Sequence, residues 1–324
     1  MVQGGTVVQL AVVAATILGL WVGARALVDA VVRLARRFGV AELTIGLTVV
    51  AMGTSTPELV VTTDAALAGL GDIAVGNVVG SNVYNLAFIL GAVSLLRVIP
   101  VERSLVHRDG AALVASTLLA FAVLFDRTVT RPEGLLLALA FLAYTAYLLY
   151  DERSGTSIET EYPASHRSDA DRTAFRGRDA LLLVGGLAVV LVSGHFMVEA
   201  ASALARSAGL SDWVIGGTLV AAGTSTPEFA VSLVAMRQGH VGMSVGNVVG
   251  SNVFNALGIL GLAAALRPLS VSGAAIETTV WLTAVAVLMV AALWSGRRLS
   301  RVEGALFACS EVARWVLGLF RIFG

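Results

Sequence analysis

The sequence predicts an all-α polytopic membrane protein of about ten transmembrane helices, built as two inverted five-helix repeats with helices 2 and 7 broken. Three observations carry that expectation. Of the 324 residues, 57% are apolar and 14% charged, and the mean hydropathy is +0.84, whereas a soluble domain is about half apolar and a quarter charged. Stretches long and apolar enough for the roughly 20 residues of a membrane span recur along the whole chain. Finally, a shift of 170 residues aligns Val28–Arg97 with Val198–Arg267 without a gap, and roughly half the aligned positions are identical.

Spans are expected near residues 5–30, 41–69, 72–97, 106–126, 132–150, 179–204, 212–236, 240–266, 273–295 and 300–322. The first, in "MVQGGTVVQLAVVAATILGLWVGARAL", lacks a basic leader and a small-residue cleavage site, so it reads as a span and not as a signal peptide. Between the fifth and sixth spans lies "DERSGTSIETEYPASHRSDADRTAFRGRD", whose mixed charges and missing apolar period mark a solvated linker. The expected organisation is therefore a first repeat over 1–151, a linker over 152–178 and a second repeat over 179–324.

Five spans per repeat oblige the second repeat to enter the membrane from the opposite side, giving a pseudo-two-fold axis in the membrane plane. Arginine placement tests the orientation, since all 22 basic residues are Arg. With both termini outside, the cytoplasmic segments hold 15 arginines, among them Arg33, Arg97, Arg108, Arg237 and Arg298, against 6 outside. That is the direction of the positive-inside rule, and it fits a multi-pass protein of the plasma membrane with a cytoplasmic linker. Zero net charge argues against nucleic acid as a partner. The single Cys309 excludes an internal disulfide.

Two oily spans contain the same hexapeptide. "AMGTSTPELVV" begins at Ala51 and "AAGTSTPEFAV" at Ala221. Pro57 removes a helical donor and clashes with the carbonyl of Gly53, and Pro227 does the same at Gly223. Each span is expected to open there and free backbone carbonyls, which hydrocarbon does not tolerate unless protein or a polar cavity receives them. Thr54, Glu58 and Thr62 fall on one helix face, as do Thr224, Glu228 and Ser232. A lone intramembrane glutamate is often a satisfied interhelical hydrogen bond, but two at matching positions of inverted repeats meet at mid-membrane and point to function.

Spans 3 and 8 repeat "VGNVVGSNV" from Val75 and Val245. Asn77, Ser81 and Asn85 form a polar stripe, matched by Asn247, Ser251 and Asn255. Gly76 and Gly80, like Gly246 and Gly250, have the spacing that lets helix backbones approach closely. Ser81, Asn85, Ser251 and Asn255 are read as ligands, whereas Asn77, Asn82, Asn247 and Asn252 suit ligation and structural hydrogen bonding equally. Together with Thr54, Ser55, Thr224, Ser225 and the two glutamates, every donor atom is a hard oxygen. Such a set suits Ca²⁺, which takes about six to eight oxygens, or Na⁺. With no Cys or His among these residues, zinc and copper are not expected.

These motifs resemble the α-repeats of the cation/calcium exchanger superfamily, in its prokaryotic sodium/calcium exchanger branch. The carriers are "GTSTPE" followed by "GNVVGSNVYN", and "GTSTPE" followed by "GNVVGSNVFN". The resemblance covers both repeats and implies a secondary antiporter that exchanges Na⁺ for Ca²⁺. Spans 2, 3, 7 and 8 would build the ion sites, and spans 1 and 6 would slide across them. It carries ligand roles to Glu58, Thr54, Ser55, Ser81 and Asn85, to Glu228, Thr224, Ser225, Ser251 and Asn255, and to the backbone oxygens of Ala51 and Ala221. Asn255, where potassium-dependent relatives hold Asp, implies independence of K⁺. The short linker implies that the large Ca²⁺-sensing domains of eukaryotic relatives have no counterpart. The transported ions are substrates, so no cofactor and no obligatory protein partner is expected beyond the lipid bilayer.

Three competing functions bear on the same residues. A proton/calcium exchanger would use the same two glutamates as proton carriers, and only the resemblance, in the "GTSTPE" and "GSN" forms, leans to sodium. A channel fits inverted repeats with broken helices less well than a carrier does. An intramembrane enzyme lacks its motif: His195 and Glu199 do not have the H-E-x-x-H spacing, and no nucleophile motif is present. His195 reads as a packed or interfacial residue. Asp29, one turn before Arg33, reads as locally paired.

Overall fold

The computed structural model describes residues 5–100, 105–153, 177–208 and 221–322. Most of the linker, at 154–176, and the first half of the seventh expected span, at 209–220, lie outside them. The described chain is helical throughout, apart from four two-residue strands. In the first half run α1 (Thr6–Phe38), α2 (Glu42–Thr54), α3 (Thr56–Ala68), α4 (Gly71–Leu96), α5 (Val106–Leu124) and α6 (Arg131–Arg153). In the second run α7 (Gly177–Ser207), α8 (Ala221–Thr224), α9 (Thr226–Gln238), α10 (Val241–Leu266), α11 (Gly273–Gly296) and α12 (Arg301–Ile322). Among the described residues seven helices are long and apolar enough to cross a membrane, and the bent pair α2–α3 makes eight. The chain is thus an integral, multi-pass membrane protein. Of the ten expected spans, the tenth falls in α12, which is interrupted by charged residues and is not among those seven, and the seventh lies partly outside the described residues.

The ends of the helices follow from their residues. Gly69 and Gly239 take left-handed backbone, with φ of 82° and 89°. The next amides, of Leu70 and His240, reach back to the carbonyls of Ala65 and Ala235 at 2.8 Å, which closes both helices with the same motif. The Arg267 guanidinium then donates to the Leu67 carbonyl at 2.6 Å, covering the end of α3.

Side-chain contacts gather the connections at two ends of the bundle. At one end, Arg33 pairs with Asp179 at 2.6 Å. Glu152 accepts from the Ala41 amide and the Thr44 hydroxyl, both at 2.7 Å, and His240 meets Glu42 at 3.0 Å. Strands β1 (Ile99–Pro100) and β4 (Arg298–Leu299) pair antiparallel, joining the ends of α4 and α11. Strands β2 (Thr128–Val129) and β3 (Leu269–Ser270) pair likewise and join the end of α5 to that of α10.

The apolar interior falls into two clusters. The larger is made by α3–α6 and α9–α11, with Val83, Leu86, Ile89, Leu137, Val253 and Ile259 at its centre. The smaller joins α1 to α2, α7, α9 and Met243 through Leu20, Ala24, Leu27, Val28, Val190, Val231 and Val234. Within it α1 and α7 cross backbone to backbone. A methyl placed on Gly186 would lie 2.7 Å from the Leu27 nitrogen. The outward faces of this pair carry Val7, Leu18, Leu181 and Val184, all well exposed, as suits a lipid-facing surface.

Candidate cation-binding site

The first hexapeptide bends the backbone beside its proline. Helices α2 and α3 meet at Ser55 with a bend of 50°. Ser225, ahead of α9, has nearly the same backbone angles as Ser55. Each proline sits in the first turn of the new helix, where a missing N–H costs nothing. The carbonyls expected to be freed are not all left bare. Gly53 accepts from the Thr56 hydroxyl at 2.7 Å, and Ala51 accepts from the Ser55 amide at 3.0 Å. The Ala51 oxygen also lies 3.3 Å from the Thr54 hydroxyl, whose one proton is contested by the Val50 carbonyl and Asn247 Oδ1, each at 3.1 Å. Ala221 is the first residue of α8.

At this level the halves interlock. The Ser55 hydroxyl donates to Oε1 of Glu228 at 2.8 Å, and the Ser225 hydroxyl donates to Oε1 of Glu58 at 2.9 Å. All four side chains are 0% exposed. Each carboxylate is therefore held by the opposite half, an exchange that the motif spacing did not foretell. The second oxygens, Oε2 of Glu58 and Glu228, find no hydrogen-bond partner among the described residues.

Helices α4 and α10 supply the rest. Ser81 Oγ, Ser251 Oγ, both amide atoms of Asn85 and Oδ1 of Asn255 are buried and equally without a partner among the described residues. A buried polar atom without a partner costs about 1–3 kcal/mol. These atoms lie on helices packed against those of the two glutamates, and unsatisfied groups of this kind are what a bound ligand would satisfy. Thr54 and Thr224 are buried beside the serines.

The four remaining asparagines separate by role. Asn77 donates to the Glu58 carbonyl at 3.3 Å and to Thr62 Oγ1 at 2.9 Å. Asn247 makes the same bonds to the Glu228 carbonyl and Ser232 Oγ, at 3.3 and 2.9 Å. Both brace the glutamate helices. Asn247 also accepts from the Thr54 hydroxyl at 3.1 Å, a tie between halves that no spacing rule announces.

One structural feature had no signal in the sequence. Helix α2 is π-helical over Gly46–Val50, α4 over Tyr84–Ile89 and α10 over Phe254–Ile259. These turns adjoin Ala51 and contain Asn85 and Asn255, in keeping with the frequency of π-turns at functional sites. The close approach expected at Gly246 and Gly250 is present. A methyl on Gly246 would stand 2.5 Å from the Leu43 carbonyl oxygen, and one on Gly250 would stand 2.6 Å from the Leu47 Cα. Gly76 and Gly80 meet no described residue within 4 Å.

The family model described as "Sodium/calcium exchanger protein" matches residues 8–150 and 179–310. The chain is 35% identical over 284 residues to the putative antiporter CaxA of Alkalimonas amylolytica, which covers 84% of this chain and 86% of that one. It is 31% identical over 313 residues to the sodium/calcium exchanger MaX1 of Methanosarcina acetivorans, covering 86% and 89%. Among solved structures, the sodium-calcium exchanger NCX_Mj soaked with Na⁺ and Sr²⁺ superimposes with a TM-score of 0.81 at 27% identity, over 95% of this chain and 98% of that one.

Proposed function

Because the chain belongs to the sodium/calcium exchanger family, and so is a cation/Ca²⁺ antiporter, we propose that it exchanges Na⁺ for Ca²⁺ by alternating access. The cations would bind mid-membrane between Glu58 and Glu228. Thr54, Ser55, Ser81 and Asn85, their counterparts Thr224, Ser225, Ser251 and Asn255, and the carbonyls of Ala51 and Ala221 complete the ligand set. The observation that carries this reading is the reciprocal hold on the two carboxylates. Each has one oxygen fixed by the opposite half's serine and the other left without a hydrogen-bond partner among the described residues.

The same reading makes the molecule ten spans in two inverted repeats, over 1–151 and 179–324. The linker 152–178 is cytoplasmic and both termini are outside the plasma membrane. Helices α2–α3 and α8–α9 are the broken spans. The separate packing cluster around α1 and α7 supports their role as the pair that slides.

Coupling follows from charge. Two ionised carboxylates in a site of low dielectric repel each other, and bound cations offset the repulsion. The empty, doubly negative site is costly to occlude. Loaded with Ca²⁺ or with Na⁺ it is closer to neutral, so the sliding step proceeds with cargo and exchange prevails over leak.

The deciding experiment is uptake of radioactive Ca²⁺ into Na⁺-loaded proteoliposomes diluted into Na⁺-free buffer, with and without a pH gradient. Uptake that requires internal Na⁺ and ignores the gradient is the expected result. Uptake driven by the proton gradient alone would move the protein to proton coupling, with the same two glutamates as carriers.

A further inference from the structure

The site's two ligand amides are held differently, and the difference assigns a role to a residue that is not itself a ligand. Asn82 of α4 donates its Nδ2 to the backbone carbonyl of Asn252 in α10, at 3.0 Å. A carbonyl only accepts, so this contact decides which end of the Asn82 amide faces Asn252. Its Oδ1 therefore faces the other way, where it accepts from Asn255 Nδ2 at 3.0 Å. That second bond decides the orientation of Asn255 in turn. Its nitrogen is used by Asn82, and its Oδ1 is left buried without a partner among the described residues. A fixed polarity thus passes from a main-chain carbonyl through Asn82 to Asn255 and ends in an oxygen.

The matching relay in the other direction is not made. Asn252, the counterpart of Asn82, turns its Nδ2 back to the Val248 carbonyl of its own helix at 2.8 Å. Its Oδ1 and both amide atoms of Asn85 have no partner among the described residues.

Resting on the cation-site reading above, we propose that Asn82 is a positioning residue that locks the Asn255 amide with its oxygen toward the bound cation, while the Asn85 amide is left for the ion to orient. An amide presents a cation with an acceptor at one end and two N–H donors at the other. Locking the acceptor end inward removes the cost of ordering it at each binding event. The bond is buried on both sides, so water does not replace it.

The test is calcium titration calorimetry on the full-length protein, purified in Na⁺-free detergent solution, in two backgrounds. In the native background Asn82→Leu releases Asn255 and is expected to raise the Ca²⁺ Kd by about tenfold. In the Asn255→Asp background the orientation problem vanishes, because both ends of the side chain are oxygens. The Asn82 oxygen then faces a carboxylate oxygen across the same short distance, so Asn82→Leu is expected to leave the Kd unchanged or to lower it. A merely structural role for Asn82 predicts the same loss in both backgrounds, and that result overturns the proposal. If the leucine variant does not purify as a folded protein, Asn82→Ala is read in the same pair of backgrounds with the same expectations. Failure of the unaltered protein to bind Ca²⁺ at all would instead overturn the site reading and this inference with it.

Discussion

The two halves agree in how they hold the two glutamates and diverge in what they pack against on the flanks. Ser55 and Ser225 reach the opposite glutamates at 2.8 and 2.9 Å, and Asn77 and Asn247 brace the glutamate helices with identical pairs of distances. Around that centre the matching positions differ. Tyr84 stacks on Trp315 of α12 with rings 5.6 Å apart, while its counterpart Phe254 leans on Phe141 of α6 at 5.0 Å. Glu311, at the position matching Phe141, is buried and paired with Arg314 at 2.5 Å. The difference teaches which contacts the ion constrains. A cluster that both halves must complete tolerates little divergence, whereas each flank need only bury its own apolar surface.

If that division is correct, changes at the centre cost most and cost alike in the two halves. Removing one partner of a buried charged interaction typically costs about 2–5 kcal/mol. Glu58→Gln and Glu228→Gln should each therefore lower Ca²⁺ affinity by at least about 30-fold, and together they should abolish exchange in proteoliposomes. Exchange that survives in the double variant would remove the carboxylates from the mechanism. The serines come next. Each donates to a charged acceptor, a bond worth about 1.5–3 kcal/mol, so Ser55→Ala and Ser225→Ala should each raise the Ca²⁺ Kd by roughly tenfold. Losses that differ between the two by more than about tenfold would break the equivalence of the halves at the site.

Helix packing sharpens the comparison at the level of stability. Gly250 has the Leu47 backbone where a side chain would go, and forcing atoms into a packed interior costs about 1–3 kcal/mol. Gly250→Ala should lower the melting temperature by a few degrees. Gly194 is the contrasting case. Its counterpart in the first half is already Ala24, and a methyl there would meet only Pro227 carbons at 3.5 Å, an ordinary contact. Gly194→Ala should be neutral or slightly stabilising, since alanine is the better helix former. A loss at Gly194 equal to that at Gly250 would mean that the two crossings are equally tight.

Much of this was legible in the sequence because the physics is local or repeated. The prolines and the polar stripes at i, i+4 and i+8 act within one helix, and the 170-residue repeat displayed each of them twice. That was enough to name twelve candidate positions on α2–α3, α4, α8–α9 and α10. The pairing across the halves was not legible, because Ser55 and Glu228 are brought together only by tertiary packing. Neither was the role of Asn82, which depends on a main-chain carbonyl in another helix. The π-turns at Asn85 and Asn255 leave no trace in periodicity. The freed carbonyls were overstated, because Thr56, next to the proline, supplies a hydroxyl to Gly53.

The smallest effect lies where the sliding pair is tied to the rest. At one end of the bundle α1 is fastened to α9 twice. Gln238 donates to Asp29 at 3.1 Å, and the Arg237 guanidinium lies 5.2 Å from the centre of the Trp21 ring. The matching positions of the first half, Ala68 and Leu67, offer α7 neither a hydrogen bond nor a charge. If α1 slides as proposed, this tie holds it in the position seen here. Removing a single hydrogen bond of this kind is worth about 0.5–1.5 kcal/mol, so Gln238→Ala should shift the balance between the two access states by about two- to tenfold. If the bond breaks when α1 slides, apparent Ca²⁺ affinities measured from the two faces of oriented vesicles should move in opposite directions. Arg33→Gln is the control. Its salt bridge to Asp179 joins α1 to α7 within the sliding pair, so its loss should leave both affinities in place. Equal shifts in the same direction for Gln238→Ala would show that the bond acts on the site itself and not on the slide.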